Sequence, residues 1–184
     1  DGSGQYDNFG FDRIVDQLSD STVFDFTATR VRPSQVDTLA ELSEYDVVVI
    51  GDNQHWVGTG YEVFAGALRG WVENQGGGVV MVAWGVAASN YNTPFQARSD
   101  LDAIVPANLF SGFSYQYNAD LTPNGVVHPV TEGVSSFVAF PYTEYPSSVD
   151  AEATVLGTTS GQVTVAVRDA GRGRGVNLGP SYAA

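Results

Sequence analysis

A loop reading Asp52-Asn53-Gln54-His55-Trp56 directly follows an apolar run and gathers a carboxylate, two amides, an imidazole and an indole in consecutive positions. Such a set can hydrogen-bond and stack on a polar ligand such as a sugar, and it serves equally well as a turn with capping side chains. His55 and His128 are the two histidines of the chain, so Asp52, His55 and His128 are the acid-base set that an enzyme built here would use. Their spacing matches no zinc-ligand pattern. Trp84, Asn90 and Tyr91 follow a second apolar run and extend the candidate ligand-binding set of Asp52, Asn53, His55 and Trp56. Asp1, Ser3, Gln5 and Asp7 offer oxygen donors in a Gly-rich stretch, with Asp1 and Asp7 as candidate calcium ligands, although the spacing departs from the EF-hand loop. No other cofactor is expected. Trp56, Trp84, Tyr91, Tyr115, Tyr117, Tyr142 and Tyr145 are either a stacking platform for carbohydrate or core filling. Ser89 lacks the glycine-flanked elbow of a serine nucleophile, and the run Gly171-Arg-Gly-Arg-Gly175 reads as a hairpin turn and not as a phosphate loop.

The elements that must position these residues follow from periodicity. Phe11, Ile14, Val15 and Leu18 share a helical face. Val23 to Val31 alternates as a strand does, ending before Pro33, and a short helix is expected over 34–44. Asp46 to Asp52 is a continuous apolar run bounded by polar residues, which predicts a central strand buried on both faces. Tyr61 to Gln75 is helical and stops at Gly76-Gly-Gly78, and 79–84 is a second buried strand. This alternation predicts parallel crossovers with helices on both faces of the sheet. Beyond Asn90 the pattern changes: 94–105 is weakly helical, Phe113, Tyr115 and Tyr117 alternate as a half-exposed strand, and 154–156, 163–167 and 176–178 read as late antiparallel strands.

A chain of 184 residues, 43% hydrophobic, supports one core, so a single domain over 1–184 is the expectation. A net charge of −13, from 21 acidic residues against 8 arginines and no lysine, argues against nucleic acid and anionic membrane surfaces as partners. No apolar run reaches the length of a membrane span. The absence of cysteine rules out disulfides and a thiol nucleophile. The composition suggests a secreted or cell-surface protein, and the start at Asp1 suggests a processed fragment.

The stretches Glu44-Tyr-Asp-Val-Val-Val-Ile-Gly51, Gly76 to Gly85, His128-Pro-Val-Thr-Glu-Gly133 and Gly171 to Gly179 resemble the class I glutamine amidotransferase-like superfamily, its ThuA-like branch above all. The resemblance implies a flavodoxin-like three-layer sandwich with a mainly parallel central sheet and antiparallel late strands. It places Ala83 where catalytic members carry their cysteine, implying a pseudoenzyme. It also implies that the family's first strand and last helix are missing, so that a protein partner or a second copy supplies a strand by β-augmentation, unless a local strand fills the gap. The function expected is a non-catalytic binding or assembly module, and the alternative is a carbohydrate-active hydrolase or isomerase of ThuA-like type.

Overall fold

The structure is a computed structural model and describes residues 11–51, 60–91 and 93–180. Five helices, α1 (Phe11–Leu18), α2 (Leu39–Leu42), α3 (Tyr61–Gln75), α4 (Gly85–Tyr91) and α5 (Phe95–Asp102), accompany seven strands. The strands are β1 (Val47–Ile50), β2 (Gly78–Val82), β3 (Phe113–Pro123), β4 (Phe137–Pro146), β5 (Thr154–Thr159), β6 (Gln162–Ala170) and β7 (Gly173–Leu178). They form one sheet in the order β1-β2-β7-β6-β5-β3-β4.

The architecture differs from the flavodoxin-like sandwich. Only the β1–β2 and β2–β7 pairings are parallel, and the other four are antiparallel. Among the described residues the sheet is a mixed, curled half-barrel in which strands and not helix layers dominate. The reason lies in how the slot beside β2 is filled. β7 arrives as the second arm of the β6–β7 hairpin, turning at Gly171 as its glycine run predicts, and a hairpin necessarily sets an antiparallel strand beside it. From β7 outward the sheet is therefore antiparallel.

β1 lies at the sheet's edge and not at its centre: among the described residues it pairs with β2 alone. No strand forms over 23–31. The amides of Val23 and Phe24 turn back to the Asp20 carbonyl, and the Asp20 carboxylate takes the Thr22 amide and hydroxyl, so local bonds take the place of ladder pairing. The helix expected over 34–44 is split into a 3-10 turn at Pro33–Gln35 and α2. Thr38 starts α2 afresh, its hydroxyl taking the Glu41 amide at 3.3 Å while the Glu41 carboxylate accepts from the Thr38 amide at 3.1 Å.

α3 forms over the span its apolar periodicity predicts, burying Phe64, Ala65, Leu68, Trp71 and Val72, and Gly76 ends it at φ 90°. Burial of this order is worth roughly 1.5–3 kcal/mol for each large side chain. These residues join α2, α4, α5, Val79 and Met81 in the main core. A second core, Leu121, Leu156, Val165 and Val167, is made by strands, with Val130 of a 3-10 turn packed against it, and holds no α-helix. The expected layer of helices on both faces is thus absent among the described residues.

The curl is fixed by Gly179, the residue after β7. Its amide donates to Thr164 on β6 and its carbonyl accepts from the Glu144 amide on β4, both at 2.8 Å. A Cβ at 179 would lie inside the contact radius of the Glu144 carbonyl oxygen, so the strands meet here only because the residue is glycine. β4, last in the sheet order, is thereby tied back to the end of β7.

Candidate functional site

The cross-strand register of β3 and β4 builds a ring cluster. Tyr115 and Tyr117 are two residues apart and share a face, and Tyr117 stands opposite Tyr142 while Tyr115 stands opposite Glu144. The Tyr117 and Tyr142 rings are 4.7 Å apart, Tyr115 and Tyr117 are 5.6 Å apart, and Tyr115 and Tyr142 are 6.1 Å apart. Trp84, from the turn between β2 and α4, packs 5.4 Å from both Tyr115 and Tyr142. The cluster faces solvent, with Tyr117 62% and Tyr115 43% exposed. Tyr142 and Trp84 are half-buried beneath them. Repulsion from Tyr142, then from Tyr115, raises the Tyr117 hydroxyl above its ordinary pKa, and hydrogen bonding to the same two side chains adds to the shift.

Trp84 holds φ 68°, a left-handed conformation that costs an indole-bearing residue roughly 1–2 kcal/mol. The strained position in the strand-to-helix turn is thus Trp84, and Ala83 beside it is buried with a methyl group alone. Behind the turn, Glu144 is 2% exposed. Its carboxylate accepts the amides of Ala87 at 2.7 Å and Val86 at 3.3 Å. Two of the first amides of α4 are therefore satisfied by the protein's own carboxylate.

The other sequence candidates fall in different places. His128 begins the 3-10 turn at Pro129–Thr131, where its Nδ1 accepts the Val130 amide at 3.2 Å. Asn90 bridges α4 and α5, donating to the Val86 carbonyl and accepting from Arg98. Arg98 in turn caps the Leu109 carbonyl and lies 4.3 Å above the Phe110 ring. Tyr91 is exposed and meets Phe113 edge-on at 5.5 Å. The Ser89 hydroxyl is buried and bonded to the Gly85 carbonyl. Asp1, Asp7, Asp52, Asn53, His55 and Trp56 lie outside the described residues. Among the described residues no group of three or more His, Asp or Glu side chains is placed to hold a metal.

Glu144 is the site residue that sequence reasoning missed, because its partners are 57 and 58 positions away. At the opposite ends of the parallel strands, an open groove of about 550 Å³ runs along Asp46, Gly76–Gly78 and Gly171–Arg174. Its arginines are engaged, Arg174 with Asp169 and Arg172 with the Asn74 carbonyl.

No family model matches this chain and no curated protein matches it. Solved structures do. "Cytoplasmic Protein STM1381 from Salmonella typhimurium LT2" superposes with a TM-score of 0.66 at 16% identity, over 95% of this chain and 77% of that one. "Cytoplasmic Protein STM3548 from Salmonella typhimurium" gives 0.58 at 18% identity, over 79% and 64%. A β-galactosidase from Bacillus circulans sp. alkalophilus gives 0.49 at 16%, over 76% of this chain and 21% of that one. The likeness is one of fold. None of these matches supports the amidotransferase-like resemblance. Nor does any support the secreted or cell-surface setting expected from composition; the two Salmonella proteins are themselves described as cytoplasmic. Among the described residues no helix is long and apolar enough to cross a membrane.

Proposed function

We propose that this chain is a non-catalytic binding or assembly module whose contact surface is the cluster of Trp84, Tyr115, Tyr117 and Tyr142. The observation that carries the reading is the exposure of Tyr115 and Tyr117 in one contiguous ring group with half-buried Tyr142 on a hydrogen-bonded strand pair, with Trp84 held in strain to complete it. Tyrosine and tryptophan bring large contact area at small entropic cost, which is why they dominate binding surfaces. The turn between β2 and α4 presents the Trp84 indole, next to the buried methyl of Ala83. The nearest buried carboxylate, Glu144, is held by two backbone amides. A surface of this kind retains a ligand through contact area.

Calorimetry with cellohexaose and with an arginine-rich peptide, together with light scattering over a concentration series of the chain itself, tests the reading on the native protein and on a Tyr115→Ala/Tyr117→Ala variant. The expected result is that the wild type binds at least one of the three and the folded variant loses it, with no release of nitrophenol from nitrophenyl glycosides. Equal binding by the variant, binding of none of the three, or turnover of a glycoside would overturn it.

A further inference from the structure

Resting on the reading of the chain as an assembly module, we infer that its partner is a second copy of itself, added to the open edge of β4 as an antiparallel strand about a two-fold axis. One end of that edge is closed within the chain, because Thr143 bridges Pro180 and the Glu144 amide donates to Gly179. Over 137–142 no described strand lies alongside, and β4 ends the sheet with β3 as its one strand neighbour among the described residues. Pro141 has no amide to give, so a new ladder falls on 137–140. Those residues read Phe-Val-Ala-Phe. Phe137 stands opposite Leu121 and Val138 opposite Asp120, so the run is apolar on both sides of the sheet. Phe137 is 45%, Val138 57% and Phe140 61% exposed. An unbroken apolar run is what a strand inside a sheet carries, and here it lies at the rim, where it is a template for a further strand.

Charge and shape select a second copy. Two chains of net charge −13 repel unless they meet where neither is charged, and 133–143 holds no charged residue. A cationic partner finds no carboxylate along this run. Asp120 lies one strand away, and pairing β4 with β4 sets its two copies three strand spacings, about 14 Å, apart. That exceeds the screening length of about 8 Å at physiological salt. The other end of the sheet is guarded: β1 is four residues long, with Glu44 and Asp46 just before it. The run is also self-complementary. About an axis at Val138, Phe137 of each copy faces Ala139 of the other and Phe140 faces Ser136, large against small. Phe137, Val138, Phe140 and the adjoining Tyr117 leave about 450 Å² open on each copy, counting roughly 150–250 Å² for a whole aromatic side chain. A pair therefore covers about 900 Å², at the low end of specific interfaces, and the dimer is expected to be reversible, with a Kd in the micromolar range.

The test is sedimentation equilibrium of the native chain from micromolar to millimolar concentration, beside Val138→Lys. The lysine reduces the chain's negative charge, so a general charge effect favours association, whereas a cation on the pairing edge opposes it. The expected result is a monomer–dimer equilibrium that Val138→Lys weakens by about tenfold or more. Val138→Cys adds a thiol to a chain that has none. The two-fold sets its Cα about 4.5–5.5 Å from that of its copy, within disulfide range. Mild oxidation is expected to cross-link Val138→Cys and to leave Val47→Cys, on β1, monomeric. Val138 and Val47 are both exposed, so the variants are expected to fold, and thermal midpoints check this. A chain that stays monomeric throughout, a dimer equally tight in Val138→Lys, or cross-linking at Val47→Cys in place of Val138→Cys overturns the inference. If the chain stays monomeric while cellohexaose or the arginine-rich peptide binds through Tyr115 and Tyr117, self-pairing is wrong and the binding-module reading stands.

Discussion

The Glu144 carboxylate on β4, opposite Tyr115 in the register, accepts the Ala87 amide at the start of α4 at 2.7 Å, joining two residues 57 positions apart. The same residue's backbone amide donates to Gly179. One glutamate therefore links the helix, the ring-bearing strand and the end of β7.

Replacing that glutamate separates its two contributions. Glu144→Ala leaves the Val86 and Ala87 amides without their acceptor in a buried setting, at a cost of roughly 2–4 kcal/mol. Glu144→Gln keeps a carbonyl oxygen and is expected to lose less. Chemical denaturation of the three proteins checks the order, and an alanine variant as stable as the wild type would contradict the role given to the carboxylate.

Trp84 sits at φ 68°, where a Cβ is unfavourable. Trp84→Gly is therefore expected to be more stable than Trp84→Ala by about 1 kcal/mol, the reverse of the usual order in regular structure. Thermal unfolding of the pair measures it, and the ordinary order would place the strain elsewhere.

The Tyr117 hydroxyl is held above its ordinary value first by Tyr142 and then by Tyr115. Tyr142→Phe removes the larger of these influences. The Tyr117 titration, followed by ring NMR signals, is expected to shift down toward the usual tyrosine range, and an unchanged titration would mean that Tyr142 is not the main cause of the shift.

Tyr61 is buried at the start of α3, and burial pushes its hydroxyl from 10.0 up to about 12. A raised folded-state pKa on an acid means that the neutral form is favoured in the fold. Its contribution is whole below pH 10 and is lost as pH rises from 10 to about 12. Tyr61→Phe is expected to flatten that part of the stability profile in denaturation experiments run across this range.

The sequence made the local elements legible and the assembly much less so. α3, β1 and β2 follow from apolar runs and their glycine stops, signals that sit within a few residues of each other. β4 was missed because Pro141 and Pro146 interrupt a run that otherwise alternates weakly, and proline argues against a paired strand. Sheet order depends on which hairpin fills the place beside β2, a contest between distant segments that no local period records. The aromatic residues were recognisable as a possible platform, but it is the register Tyr117 to Tyr142 that makes them one surface. The strain at Trp84 and the placement of Glu144 are products of the closed fold, and neither residue type announces them.

The account's central claim is that Trp84, Tyr115, Tyr117 and Tyr142 form the contact surface. Tyrosine-selective NMR, titrating the labelled chain with cellohexaose, maltoheptaose, the arginine-rich peptide and increasing concentrations of itself, tests it most directly. The account predicts that at least one titration moves the ring signals of Tyr115, Tyr117 and Tyr142 while that of buried Tyr61 stays in place. Titrations that leave all three unmoved, or that move other rings in their stead, would contradict it.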